Sequence, residues 1–213
     1  VYKRQPLAPE AVEVLREAIA RVNEEANLNI QLVLDEPRAF TGFKARLVNF
    51  TNVRNYLALV GPECKELDGI LGYYGEQLML LAQSLGLNSC WVGGTYKVVN
   101  RAYNVDLGQK LAAVIALGYG TTQGVPHRSK APQAVVPGYD GAPEWFKRGV
   151  DAALLAPTAL NQQKFSFSLD GEVGDVPVVR ASTRRGAFAQ MDLGIAQCHF
   201  EIGAGPALYR WAE

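Results

Sequence analysis

The 213-residue chain sets 21 Lys and Arg against 21 Asp and Glu, and 48% of it is hydrophobic with 20% charged. That mix excludes a disordered tail and leaves no global field to draw the chain to nucleic acid or an anionic membrane. No apolar run reaches the roughly 20 residues of a membrane-spanning helix. Three unevenly spaced cysteines, Cys64, Cys90 and Cys198, do not form a disulfide scaffold, so a cytoplasmic protein with small-molecule partners is expected.

The first residue is Val1 and not Met, which suggests that an N-terminal piece is missing, and Val1 to Gln5 could itself be foreign sequence. Pro9 can open a helix whose apolar face is Ala11, Leu15, Ala18, Ile19, Val22 and Ala26. Ile30, Leu32 and Leu34 alternate with polar neighbours as a half-buried strand ending before Pro37, and residues 36–53 read as irregular. Asn55 to Val60 is a continuous apolar run closed by Gly61-Pro62, the pattern of an interior strand buried on both faces.

Gly72 to Gly94 is the stretch the chain is organised around. Tyr74, Leu78, Leu81 and Leu85 recur at helical spacing, with Glu76/Gln77 and Gln83/Ser84 as one narrow polar stripe. Gly72, Gly75 and Ala82 suggest a face where a backbone or a flat ligand comes close, and the helix should stop at Gly86. Asn88, Ser89, Gly93 and Gly94 then predict a loop carrying Cys90 and Trp91; the bland alternative is a core helix, an ordinary turn and a core tryptophan.

Leu111 to Leu117 reads as a central strand ended by Gly118. Pro126, Pro132 and Pro137 make 123–141 a crossing loop that gathers His127, Arg128 and Lys130. Pro143 opens a helix through Trp145, Phe146, Val150, Ala153 and Leu154 that must end before Pro157. Ala156 to Gln163 is polar and irregular. Phe165, Phe167 and Leu169 form a strand paired with Val176 to Val179, and a last amphipathic helix carries Phe188, Met191, Ile195, Cys198 and Ile202, with His199 on its apolar side as a core histidine. The helix starts at Gly72 and Met191 are weakly alike, which permits two related half-units.

Much chemistry is absent. His127 and His199 have no metal-like pairing, no C-x-x-C occurs, and neither G-x-S-x-G nor a P-loop is present, so no metal site and no catalytic triad are expected. Few side chains suit acid–base work, which points to a cofactor as the carrier of the reaction.

Two segments then carry a resemblance. Ala156-Pro157-Thr158-Ala159-Leu160-Asn161-Gln162-Gln163 is similar to the A-P-S-A-x-N-x-Q motif of the nitroreductase superfamily, with Thr for Ser, and Gly86-Leu87-Asn88-Ser89-Cys90-Trp91-Val92-Gly93-Gly94 resembles that family's G-L-G-S-x-W loop. The resemblance implies an α+β nitroreductase-like fold with a central, mainly antiparallel sheet flanked by helices. It implies two pseudo-symmetric halves in one domain over 1–213, roughly 1–122 and 142–213 joined by the linker 123–141. Two departures stand out: the usual R-x-S-x-R phosphate motif would lie upstream of Val1, and the A-P-T motif follows the central helix instead of preceding it, as in a tandem chain that mimics the homodimer and is therefore monomeric.

By this resemblance FMN is the cofactor, lying between the halves, and NAD(P)H the cosubstrate, with a nitroaromatic, quinone or flavin as the small acceptor; no side chain is expected to be catalytic. Trp91, Val92, Gly93 and Gly94 would line the ring, and Pro157, Thr158, Ala159, Asn161 and Gln163 would reach it from the other half. Arg128 and Lys130 would either meet the phosphate or form an ordinary solvated charge cluster. The alternative is a flavin-binding protein that turns nothing over.

Overall fold

The computed structural model describes the whole chain except residues 44, 46, 47, 49, 206–208 and 213. The chain divides into two compact units, Val1–Leu67 with Gly75–Val125, and Asp68–Tyr74 with Pro126–Glu213.

Unit 1 begins with α1 (Pro9–Ala26), which buries Ala11, Leu15, Ala18, Ile19 and Val22 as its spacing predicts; Asn27, in the left-handed region, closes it. Its sheet has the order β1-β2-β4-β3, with β1 Gln31–Val33, β2 Asn55–Pro62, β3 Asn88–Val92 and β4 Gln109–Gly118, every pair antiparallel. β2 is buried along nearly its whole length because both faces are covered, which is why its sequence does not alternate. Tyr56, Ala58 and Val60 face a cluster with Phe40, Val92, Val114 and Ala116, while Leu59 on the opposite face lies against Gly75.

Four expectations change here. The residues expected to form a loop around Cys90 and Trp91 are strand β3, since pairing with Gly118 to Val114 of β4 outweighs the turn-forming tendency of Asn88 and Ser89. Ile30, just before β1, is buried as expected, but within β1 the buried residue is Val33, with Leu32 and then Leu34 only half-buried, so the expected alternation does not hold. Within 36–53, Pro37–Phe40 forms a 3-10 turn that buries Ala39 and Phe40, while positions 44, 46, 47 and 49 lie outside the described residues. Helix α2 (Leu67–Ser84) starts before Gly72, although it stops at Gly86 as expected, with Gly86 at φ 77°, and Glu76 of its polar stripe is buried at 1% exposure.

Unit 2 holds the first turns of α2, α3 (Glu144–Ala153), the hairpin β5 (Phe165–Val173) and β6 (Val176–Thr183), α4 (Ala189–Ala204), and β7 (Arg210–Trp211), which runs parallel to β6. Its core is aromatic: Phe200 of α4 packs on Phe146, Phe167, Tyr209 and Trp211, with ring centroids 4.7–5.4 Å apart. The crossing of α2 and α4 is made by backbone. A Cβ on Gly72 would strike the Met191 carbonyl, and one on Gly194 would strike the Gly69 carbonyl, so glycine is required at both positions.

α4 differs from a one-sided amphipathic helix. Phe188 lies outside it as a left-handed N-cap, Ile202 is 66% exposed, and His199 is half-buried and not a core residue. Instead Asp192 is buried at 3% exposure. The region 123–141 is irregular as expected, apart from 3-10 turns at Pro132–Ala134 and Tyr139–Gly141. Among the described residues no helix is long and apolar enough to cross a membrane.

Candidate functional site

In unit 2 the site is built from the loop after α3. Pro157 cannot continue the helix, and the chain turns through a 3-10 segment, Ala159–Asn161. Leu160, Asn161 and Gln163 all have positive φ, at 53°, 52° and 42°. A left-handed residue other than glycine costs roughly 1–2 kcal/mol, so the surroundings must hold this loop.

They do so with hydrogen bonds. Gln163, 2% exposed, donates its amide to the Arg128 carbonyl at 2.9 Å and to Asn161 Oδ1 at 2.7 Å, and accepts from the Lys130 backbone N–H at 2.9 Å. Its own N–H donates to Thr158 Oγ1 at 3.1 Å. Asn161 Nδ2 donates to the same Arg128 carbonyl at 2.9 Å. Lys130 Nζ donates to the carbonyls of Gln162 and Gln163 at 2.9 and 2.6 Å. Asp192 accepts from the Ala159 N–H at 2.9 Å and from Gln162 Nε2 at 2.7 Å.

The electrostatics follow from this packing. Burial, then the nearby Arg184 and Lys164, push the Lys130 ammonium below the ordinary lysine range. Burial raises the Asp192 carboxyl, against the lowering effect of its donors Ala159 and Gln162 and of Lys164. The loop is thus a rigid polar rim in a basic setting, with Leu160 fully exposed at its tip.

In unit 1, Trp91 lies on β3 with its ring against the bare face of Gly75, where a Cβ would come within 2.6 Å of Cη2. Its Nε1–H donates to Glu76 Oε2 at 2.8 Å. Val92 is buried, and Gly93 and Gly94 follow the strand; a Cβ on Gly94 would meet open space. Neither glycine's N–H donates to a backbone carbonyl among the described residues, which leaves two adjacent donors. Burial, against a lowering by the N-terminal ammonium, pushes the Cys90 thiol above the ordinary cysteine range, which disfavours its thiolate.

Of the residues singled out from sequence, the structure brings Arg128, Lys130, Pro157, Thr158, Ala159, Asn161 and Gln163 together in unit 2 and keeps Trp91, Val92, Gly93 and Gly94 contiguous in unit 1. It commits the Lys130 ammonium and the Asn161 and Gln163 side chains to the loop itself, while the exposed Arg128 side chain stays at the surface. Sequence reasoning missed Asp192, Gln162 and Lys164. The signal for Asp192 was a lone carboxylate among apolar and small residues in the first turn of a helix. Among the described residues no group of three or more His, Cys, Asp and Glu could hold a metal ion.

Within unit 1, the adjacent backbone N–H groups of Gly93 and Gly94, with open space beside Gly94, are donors of the kind the electron-rich edge of a flavin ring accepts. The model of the family described as "Putative TM nitroreductase" matches residues 1–204. A crystal structure of a "putative nitroreductase" from Thermotoga maritima is 17% identical over 99% of this chain and 81% of that one, with a TM-score of 0.64. A "Putative NADH dehydrogenase/NAD(P)H nitroreductase" from Bacteroides thetaiotaomicron is 17% identical over 63% of this chain and 88% of its own, with a TM-score of 0.50. At these identities the likeness is one of fold. No curated protein matches the chain.

Proposed function

This chain belongs to the nitroreductase family whose model spans residues 1–204, and from that membership we propose that it is an FMN-dependent oxidoreductase. It takes two electrons from NAD(P)H and passes them to a small acceptor such as a nitroaromatic, quinone or flavin. Bound FMN supplies the two-electron relay, and the protein supplies position, polarity and exclusion of water.

The observation that carries this reading is the unit 2 cluster, in which Asp192, Gln163 and Lys130 hold Thr158 to Asn161 in an otherwise costly backbone shape. A loop kept rigid at that cost, with its motif matching a flavin-contact motif, fits a site in which little reorganisation accompanies reaction. Gly93 and Gly94 offer N–H donors to the negative charge that develops on a reduced ring, an electrostatic contribution of about 3 kcal/mol where the donors are preorganised. Arg128 offers the guanidinium for a phosphate, and Lys130 does so only by releasing the two loop carbonyls it now holds.

The test is direct. Purified protein is titrated with FMN, followed by flavin fluorescence, and then mixed anaerobically with NADH or NADPH before an acceptor is added. Saturable binding, bleaching of the flavin and steady turnover are expected, with affinity and reduction rate both lowered in Gly93→Val. Absence of FMN binding overturns the reading, and binding without turnover supports the non-catalytic alternative.

A further inference from the structure

A separate cavity of about 240 Å³ opens in unit 1. It is walled by the N-terminal segment from Arg4 to Leu7, by α1, by the residues after β1 and by the start of β2, and it shares no residue with the loop of unit 2 or with Trp91–Gly94. Its volume falls just below the roughly 300–1,000 Å³ of drug-sized pockets, so its occupant is small.

Three features define what it takes. Asn55, 8% exposed, lines the cavity and uses its side-chain oxygen to accept the Asp35 N–H at 3.1 Å, while its NH2 has no acceptor among the described residues. That nitrogen is not one of the fully buried polar atoms left without a partner among the described residues, so it opens to the cavity and is free to donate to an occupant. Arg54 and Asp35 neutralise each other, with Nε donating to Oδ1 at 2.7 Å and Nη2 to the same oxygen. Arg4, exposed on the rim, has no ion pair among the described residues and leaves one net positive charge. The rest of the wall is apolar and includes Leu7, Val12 and Leu34.

We propose that this cavity binds a small monocarboxylate with a short hydrocarbon tail. The Arg4 fork matches a planar carboxylate, the Asn55 amide donates to it, and Leu7, Val12 and Leu34 cover the tail. One uncommitted cation suits a monoanion, and the apolar wall gives inorganic phosphate nothing to gain. The proposal is independent of flavin binding.

Isothermal titration of the purified protein with sodium benzoate tests it, alongside benzamide as the uncharged match and inorganic phosphate. Saturable benzoate binding is expected, weaker by about tenfold or more for benzamide, for phosphate, and for benzoate on Arg4→Gln, where a charge-assisted pair is lost. Asn55→Asp keeps the acceptor for Asp35 but replaces the donor with an anion and should abolish binding. Arg4→Gln is an exposed substitution, so the test stands even where Asn55→Asp fails to fold. No saturable benzoate binding, equal binding of benzamide or phosphate, or an unchanged affinity in Arg4→Gln overturns the proposal.

Discussion

Replacing Asp192 by Ala removes the acceptor of two hydrogen bonds to the loop, from the Ala159 N–H at 2.9 Å and from Gln162 Nε2 at 2.7 Å. Gln162 keeps the Ala187 carbonyl at 3.0 Å, whereas Ala159 is left with an unmet donor. An unmet buried donor costs about 1–3 kcal/mol; relief of the buried carboxylate offsets part of this, so a net loss of about 2 kcal/mol is expected. Asp192→Asn is not neutral either. Its oxygen can still accept from Ala159, but its NH2 then faces the Gln162 NH2, and turning the Gln162 amide points oxygen at the Ala187 carbonyl. A loss of about 1 kcal/mol follows.

The same carboxylate has a pH signature. Burial, the largest cause, raises its pKa in the folded protein above the ordinary 3.8. A raised pKa means that its stabilising contribution is complete below about pH 4 and is lost as pH rises through the folded value. The stability of the natural protein relative to Asp192→Asn should therefore decline across that window and then level off. Urea denaturation at a series of pH values measures both effects. A stability unchanged within about 0.5 kcal/mol in Asp192→Ala, or a difference that grows with pH, refutes the argument.

Further expectations concern the packing. Gly72→Ala drives a methyl into the Met191 carbonyl and should destabilise unit 2 by about 3 kcal/mol in urea denaturation, because backbone has to move. Leu160→Gly relieves a left-handed backbone at φ 53° in a side chain with no burial to lose, so thermal unfolding should show a gain of about 1 kcal/mol. Trp91→Phe takes one donor from the buried Glu76 carboxylate and should cost about 2 kcal/mol, read by chemical denaturation.

Local pattern was enough for α1, β2, β4 and the β5–β6 hairpin, because each is written in the spacing of its own apolar residues. The helix at Gly72 was legible, and so was the reason for its glycines. What they meet was not: Gly72 takes a backbone carbonyl and Gly75 takes the Trp91 ring, and both neighbours are remote in sequence. β3 was missed because Asn88 and Ser89 are turn formers whose choice is settled only by a partner strand. In the loop, Asn161 and Gln163 were visible as polar groups. Their commitment to Arg128 and Lys130, 33 residues away, was not.

The amino-acid order alone therefore determined the class of elements, the lack of metal-ligating and triad motifs, and the two motifs that resemble a flavin family, since these depend on composition and short-range spacing. Only the tertiary structure decided which polar groups remain uncommitted. It ties Lys130 and Gln163 to their own loop, buries Asp192 beneath it, and leaves the Asn55 amide without an acceptor among the described residues. Hydrogen-bond satisfaction is set by groups far apart in the chain, and no local pattern records it.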